Sequence, residues 1–116
     1  MTGVVYSRGD VVLVRVDFTD LSGRKVRPAV VVSSDQYNRT SPDVLIASIT
    51  SNLNAVPHPG DHPIREWNAA GLLKPSLVQA KLATVVASMI RRKLGELDAD
   101  DLEVFGRRLK EVLGLK

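Results

Sequence analysis

Few side chains in this 116-residue chain could carry out a reaction. There is no cysteine, which removes thiolate nucleophiles, disulfides and cysteine-based zinc sites together. His58 and His62 stand four apart, but Pro59 and Gly60 lie between them, so they cannot share one helix face as zinc-protease ligands do. Two solvated loop histidines and no metal site is the plainer reading. No Gly-x-Ser-x-Gly elbow, phosphate-cradling loop or dinucleotide fingerprint occurs. What is left is a set of polar residues at strand ends beside arginines. Arg27 stands before Pro28 at the mouth of one apolar run and Thr50 ends another, so a curled sheet could bring the two together. A guanidinium fork grips phosphate oxygens in pairs, and a threonine hydroxyl can hydrogen-bond a third. Such a pair would stabilise the charge that builds on a phosphorane. RNA supplies its own 2′-hydroxyl nucleophile, provided that something accepts its proton and something protects the leaving oxygen. On these residues alone, an Arg27 paired with an aspartate and a Thr50 that is merely a strand residue remains the simpler account.

The elements that must position these residues follow from the apolar pattern. Asp10 to Phe18 reads as a first strand after the turn-like Arg8-Gly9, and Thr19 to Val26 as a loop. Pro28 then opens the buried strand Ala29 to Val32 from its first position. Ser33 to Pro42 reads as a polar connection, Val44 to Ile49 as a third strand with Thr50-Ser51-Asn52 as its exit, and Asn54 to Pro63 as a long exposed loop. Trp67 to Leu72 fits one helical turn closed by Gly71, Ser76 to Val86 a strand, and Ala87 to Leu94 either a strand or a short helix. Asp98 is a good N-cap for a last helix, with Asp101 three residues on as a weak capping box, and Leu102, Phe105, Leu109 and Val112 recur at helical spacing. This order of elements predicts a mainly β, α+β fold. It would be a single domain over residues 1–116, a strongly bent antiparallel sheet or partly open barrel with a C-terminal helix.

Composition narrows the class. Hydrophobic residues make up 44% of the chain but aromatics only 4%, so the core must be built from Val, Leu, Ile and Ala. No apolar run nears the roughly 20 residues a bilayer span needs, and no signal pattern opens the chain, so a soluble, cytoplasmic protein is expected. The net charge of +3 leans towards polyanions or an acidic protein segment. Arg24, Lys25 and Arg27 crowd one segment and Arg91, Arg92 and Lys93 another, although each cluster reads most simply as a solvated face.

Three segments taken together resemble the MazF/PemK family of toxin endoribonucleases. They are Gly9-Asp10-Val11 leading to Val16-Asp17-Phe18, then Arg27-Pro28-Ala29-Val30-Val31-Val32, then Ile46-Ala47-Ser48-Ile49-Thr50, in the family's order and at about its spacing. The resemblance implies an SH3-like barrel that forms a homodimer and binds single-stranded RNA in a groove across the interface. A cognate antitoxin with an acidic disordered tail would hold it inactive. It implies cleavage without metal or other cofactor, leaving a 2′,3′-cyclic phosphate and a 5′-hydroxyl, with Arg27 and Thr50 as the catalytic pair. The loop Thr19 to Val26 would border the RNA, with Arg24 and Lys25 as contacts. Two departures stand out. The glutamate that many members carry in this loop has no counterpart between Ser22 and Val26, which leaves Asp17 and Asp20 as the nearest proton acceptors. Where several members have an arginine and an aspartate in a later strand, this chain has Ala83 and Val86. Lys81, two residues from Ala83 and so on the same strand face, is the expected substitute for that charge in RNA binding.

Two other classes follow from the same resemblance. A barrel that only binds antitoxin or nucleic acid would suit Ala83 and Val86, whereas the Arg27 and Thr50 pair speaks against it. A topoisomerase-poisoning relative would need a tryptophan near the C-terminus, but the single tryptophan is Trp67 and the chain ends Leu113-Gly114-Leu115-Lys116.

Overall fold

The computed structural model describes residues 4–16, 25–54 and 56–116. Among these residues six antiparallel strands form one sheet: β1 (Asp10–Val16), β2 (Lys25–Val31), β3 (Asp43–Thr50), β4 (His62–Pro63), β5 (Leu77–Val86) and β6 (Ile90–Glu96), in the spatial order β4-β5-β3-β2-β1-β6. The described residues also form two α-helices, α1 (Asp35–Thr40) and α2 (Ala99–Val112). The expectation of a bent antiparallel sheet with a C-terminal helix matches this architecture.

The valine runs at Val11-Val12 and Val30-Val31-Val32 do not alternate with polar residues because both faces of the sheet are buried. Val11, Val30, Ala47, Ile49 and Val78 face one core that Ile64, Leu72, Phe105 and Leu109 cover from the 64–72 segment and α2. Val12, Val14, Ala29, Val31, Val44, Ile46 and Ile90 form the second. Among the described residues no helix covers that second core; Tyr6 and the sheet's own Ala83 and Val85 do, so the sheet curls around it.

The Gly9-Asp10-Val11 segment has a structural basis. Gly9 adopts φ +96°, which a side chain would strain, and its N–H and C=O tie Val31 and Leu97 at 2.8 and 2.9 Å. Asp10 accepts the Ser7 N–H at 2.9 Å and so closes the turn into β1. Further on, Trp67 to Leu72 is the expected helical turn. Gly71 N–H and Leu72 N–H bond Asn68 and Trp67 carbonyls at 3.0 and 3.1 Å, with Gly71 at φ +83°. A Cβ on Gly71 would lie 2.2 Å from the Leu94 carbonyl oxygen, so only glycine lets this turn press on β6.

Four expectations need correction. Ser33 to Pro42 is not a plain connection: Ser34 caps the Tyr37 N–H at 3.1 Å and starts α1, a single short helix that no apolar periodicity announces. Residues Lys25 and Val26 belong to β2, so Pro28 sits in mid-strand rather than at its start. The stretch 54–63 is only partly an exposed loop, because His62 pairs with Val78 in β4 and is 5% exposed. Asp101 does not complete a capping box. Asp98 caps Asp100 N–H at 3.0 Å, whereas Asp101, fully buried, turns away to His62, Arg65 and Glu66. Residues 87–94, readable as strand or helix, are both in turn: a 3-10 turn at Ala87–Met89 followed by β6.

Candidate active site

The Arg-Pro pair opens the site. Val32 N–H donates to the Leu45 carbonyl at 2.9 Å, so every second residue back along β2, Val30 and then Pro28, turns the same edge towards β3. Pro28 has no N–H to offer there, and the β2–β3 ladder covers only Ala29, Val30 and Val31. Beyond it the strands part. Arg27 and Pro28 stay with Val14 and Leu13 of β1, while Ile49 and Thr50 stay with Val78 and Leu77 of β5. The gap between them is a cleft of about 480 Å³.

Arg27 and Thr50 both line this cleft, as the sequence reading expected of a curled sheet. Ala29 faces Ser48 in the last rung of the ladder, and two residues further along each strand the same register sets Arg27 opposite Thr50. Thr50 Oγ1 accepts the Asn52 N–H at 3.1 Å, which fixes the hydroxyl and leaves its own hydrogen to donate. The floor is apolar, with Leu13, Ile49, Leu72 and Leu94, and Leu73 projects 94% exposed at the rim. Lys74 and Arg92 add two cations to Arg27, and none of the described lining residues is a carboxylate or histidine. Three positive charges on an apolar floor with no acid among the described neighbours make a trap for a flexible polyanion.

The other expected site residues fall differently. Asp17, Asp20 and Arg24 lie outside the described residues, and Lys25 is described by its backbone alone, the rung opposite Val16. Lys81 is exposed but does not line the cleft. Between Val78 and Leu82, β5 carries more residues than β3 does between Ile49 and Ala47, so counting faces by twos from Ala83 fails there. His58 is exposed, while His62 is buried at 2.8 Å from Asp101, so the two histidines share no site.

Arg92 and Lys74 are the residues that the sequence reading missed. Arg92 was visible only as the middle of a basic run, and Lys74 not at all. Within that run the structure separates neighbours sharply. Lys93 is held by Glu96 at 2.8 Å and Asp10 at 3.2 Å, and its ammonium pKa is raised, first by the Glu96 hydrogen bond and then by Asp10. Arg92 lines the cleft instead.

Comparison with known proteins places the fold and the family. Residues 7–113 match the family described as PemK-like, MazF-like toxin of type II toxin-antitoxin system. Among solved structures, MazE-MazF (Form-III) from Deinococcus radiodurans superposes with a TM-score of 0.77 at 23% identity, covering 97% of this chain and all (100%) of the other. An endoribonuclease in complex with its cognate antitoxin, from a mycobacterial species, gives 0.74 at 22% identity over 97% and 96% of the two chains. The Mycobacterium tuberculosis toxin MazF-mt6 gives 0.75 at 18% identity over 92% and 98%. Matched over residues 7–113, the chain belongs to the PemK-like, MazF-like toxins of type II toxin–antitoxin systems.

Proposed function

We propose that the protein is a metal-independent endoribonuclease, acting in the cytoplasm as one toxin domain, that cuts single-stranded RNA at the Arg27–Thr50 cleft. The observation that carries this reading is the convergence of Arg27 and an oriented Thr50 hydroxyl in one cationic cleft. In the reaction the 2′-oxygen attacks the adjacent phosphorus and the bond to the 5′-oxygen breaks. The 2′ proton leaves to an acceptor and the 5′-oxygen gains a proton, so no water is consumed. Arg27 would grip two non-bridging oxygens and Thr50 would donate to one of them, both on charge that grows in the transition state. Asp17 and Asp20, in the segment after β1, are the proposed acceptors. Arg24, Lys25 and Lys81 are proposed to contact the flanking strand.

Incubating the protein with unstructured RNA in EDTA and mapping the ends tests this. Fragments ending in a 2′,3′-cyclic phosphate and starting with a 5′-hydroxyl are expected. Tight RNA binding with no cut would favour instead the binding-only module that Ala83 and Val86 suggest.

Assembly gives a second expected outcome. A groove across an interface needs two protomers, so light scattering at tens of micromolar should show a homodimer, and a monomer would sink the shared-groove reading. An acidic, disordered antitoxin segment should associate more slowly as salt rises. A rate independent of salt would mean that these cations do not read it.

The Arg-Pro break gives a third. Pro28→Ala restores an N–H aimed at Ile49, so the β2–β3 ladder should grow by one bond and the cleft should narrow. The amide that the substitution introduces at residue 28 should exchange slowly, and cleavage should slow. An unprotected amide would show that something other than proline parts the strands.

A further inference from the structure

We infer that Arg92 of β6 is a second phosphate-binding residue of the cleft, holding the phosphate next to the scissile one and so setting the register of the RNA strand. The inference rests on the endoribonuclease reading above and names a contact that the Arg27 and Thr50 pair does not supply.

Position is the first argument. Leu13 of β1 pairs with Pro28 on one side and with Arg92 on the other, so Pro28, Leu13 and Arg92 form one line across three strands, with Arg27 next to its end. Two strand spacings separate β2 from β6, about 10 Å. Arg27 alternates to the face opposite Pro28, Leu13 and Arg92, but where β2 parts from β3 it lines the same cleft as Arg92, so one RNA strand in that cleft can meet both guanidinium groups. Leu13 between them is apolar and offers an RNA phosphate no competing bond.

Local backbone supplies the second argument. The β1–β6 register shifts between Val11 and Val12 and again between Leu13 and Val14. Only Lys93 and Arg92 are in step between these irregularities, on Val12 and Leu13, which sends the two side chains to opposite faces. Lys93 goes to its carboxylates, and Arg92 goes to the cleft. Alternation within this regular step thus splits the basic run between the two faces of the sheet.

Charge is the third. Among the described residues Arg92 has no carboxylate within ion-pair distance, and it is exposed. A cation in a cleft without an internal partner is available to a ligand's anion, and the guanidinium fork suits a phosphate. It also places on β6 a positive charge of the kind that Ala83 leaves absent from β5.

The test uses the full-length protein and a short single-stranded RNA carrying the cut site mapped above. Arg92→Ala should raise KM roughly ten- to hundredfold, the loss of one charge-assisted contact, and leave kcat nearly unchanged. The slope of log affinity against log salt should fall by about 0.7, one phosphate on a single strand. Arg107→Ala, which removes the same charge from an exposed position on α2, should leave both untouched. A series of RNAs, each with one neutral methylphosphonate linkage, then identifies the phosphate. One linkage beside the cut should weaken wild-type binding and have no further effect on Arg92→Ala. If every linkage weakens both proteins equally, or if Arg107→Ala lowers the slope as much, Arg92 does not hold a phosphate. A wild-type protein that fails to cut any RNA would overturn the endoribonuclease reading itself, a result distinguishable from either of these.

Discussion

Arg27→Lys is expected to cleave RNA almost as poorly as Arg27→Ala, each slowing single-turnover cleavage by about 10²–10³-fold with RNA affinity much less affected. A lysine keeps the charge but offers a single point where the guanidinium offers a planar fork, and it cannot hold two oxygens of one phosphorus at once. Thr50→Val should lose rate in the same way. It preserves the strand-end shape but removes both the acceptor for Asn52 N–H and the donor aimed into the cleft. Because both residues act on charge that appears only as the 2′-oxygen closes on phosphorus, the loss should fall on kcat and not on KM. That split separates them from Arg92, whose loss should fall on KM. His58→Ala should leave cleavage in EDTA unchanged, since that side chain is exposed and does not line the cleft. Full activity in Thr50→Val would mean that the reacting phosphate lies elsewhere.

Asp101→Ala should destabilise the fold by roughly 3–5 kcal/mol without changing kcat per folded molecule. Its carboxylate is fully buried and accepts from His62 Nε2 at 2.8 Å, Arg65 N–H at 3.0 Å and Glu66 N–H at 3.1 Å. Truncation leaves the buried His62 donor and the part-buried Arg65 and Glu66 N–H groups without their acceptor. A domain's whole margin is about 5–15 kcal/mol, so a substantial part of it would be lost. His62→Ala should cost less, since Asp101 keeps its two backbone donors, yet it should still lower the urea midpoint. His62 is therefore expected to matter to folding, a role that its place in a proline-rich segment concealed.

The same carboxylate fixes an acid limit. Burial alone would raise the Asp101 pKa, but the Arg65 N–H, His62 and the Glu66 N–H outweigh it and hold the carboxyl below the usual carboxylate range. A folded pKa below the unfolded one means that its stabilisation is complete above the unfolded value, about pH 4, and is lost as pH falls through the folded value. Stability measured against pH should therefore drop in that acid window for the wild type. In Asp101→Asn the drop should be shallower; an identical slope in both would show that other carboxylates set it.

Much of this was legible in the residues themselves. The strands could be read because Val-rich runs have few alternatives, and α2 because Leu102, Phe105 and Leu109 repeat at helical spacing behind the acidic cap of Asp98. The turn at Gly71 declared itself through its glycine. Arg27 and Thr50 could be nominated because their chemistry suits phosphate and because each stands at the end of an apolar run. Short elements stayed hidden, as with α1, since a single turn and a half is set by the Ser34 cap and by burial of Asn38, neither of which leaves a periodic trace.

The sequence by itself determined the composition of the core, the order of the longer elements and an Arg-Pro dipeptide that lacks one backbone N–H. Only the tertiary structure decided which ladder that missing N–H interrupts, and that the break at Pro28 and Ile49 opens beside Arg27 and Thr50. It alone turned Asp101 from a helix cap into the buried partner of His62, thirty-nine residues away. It alone sent Lys93 to Asp10 and Arg92 into the cleft. The reason is common to all four. Strand register, bulges and burial depend on contacts between segments far apart in the chain, so a residue's neighbours in sequence do not record which way its side chain finally points.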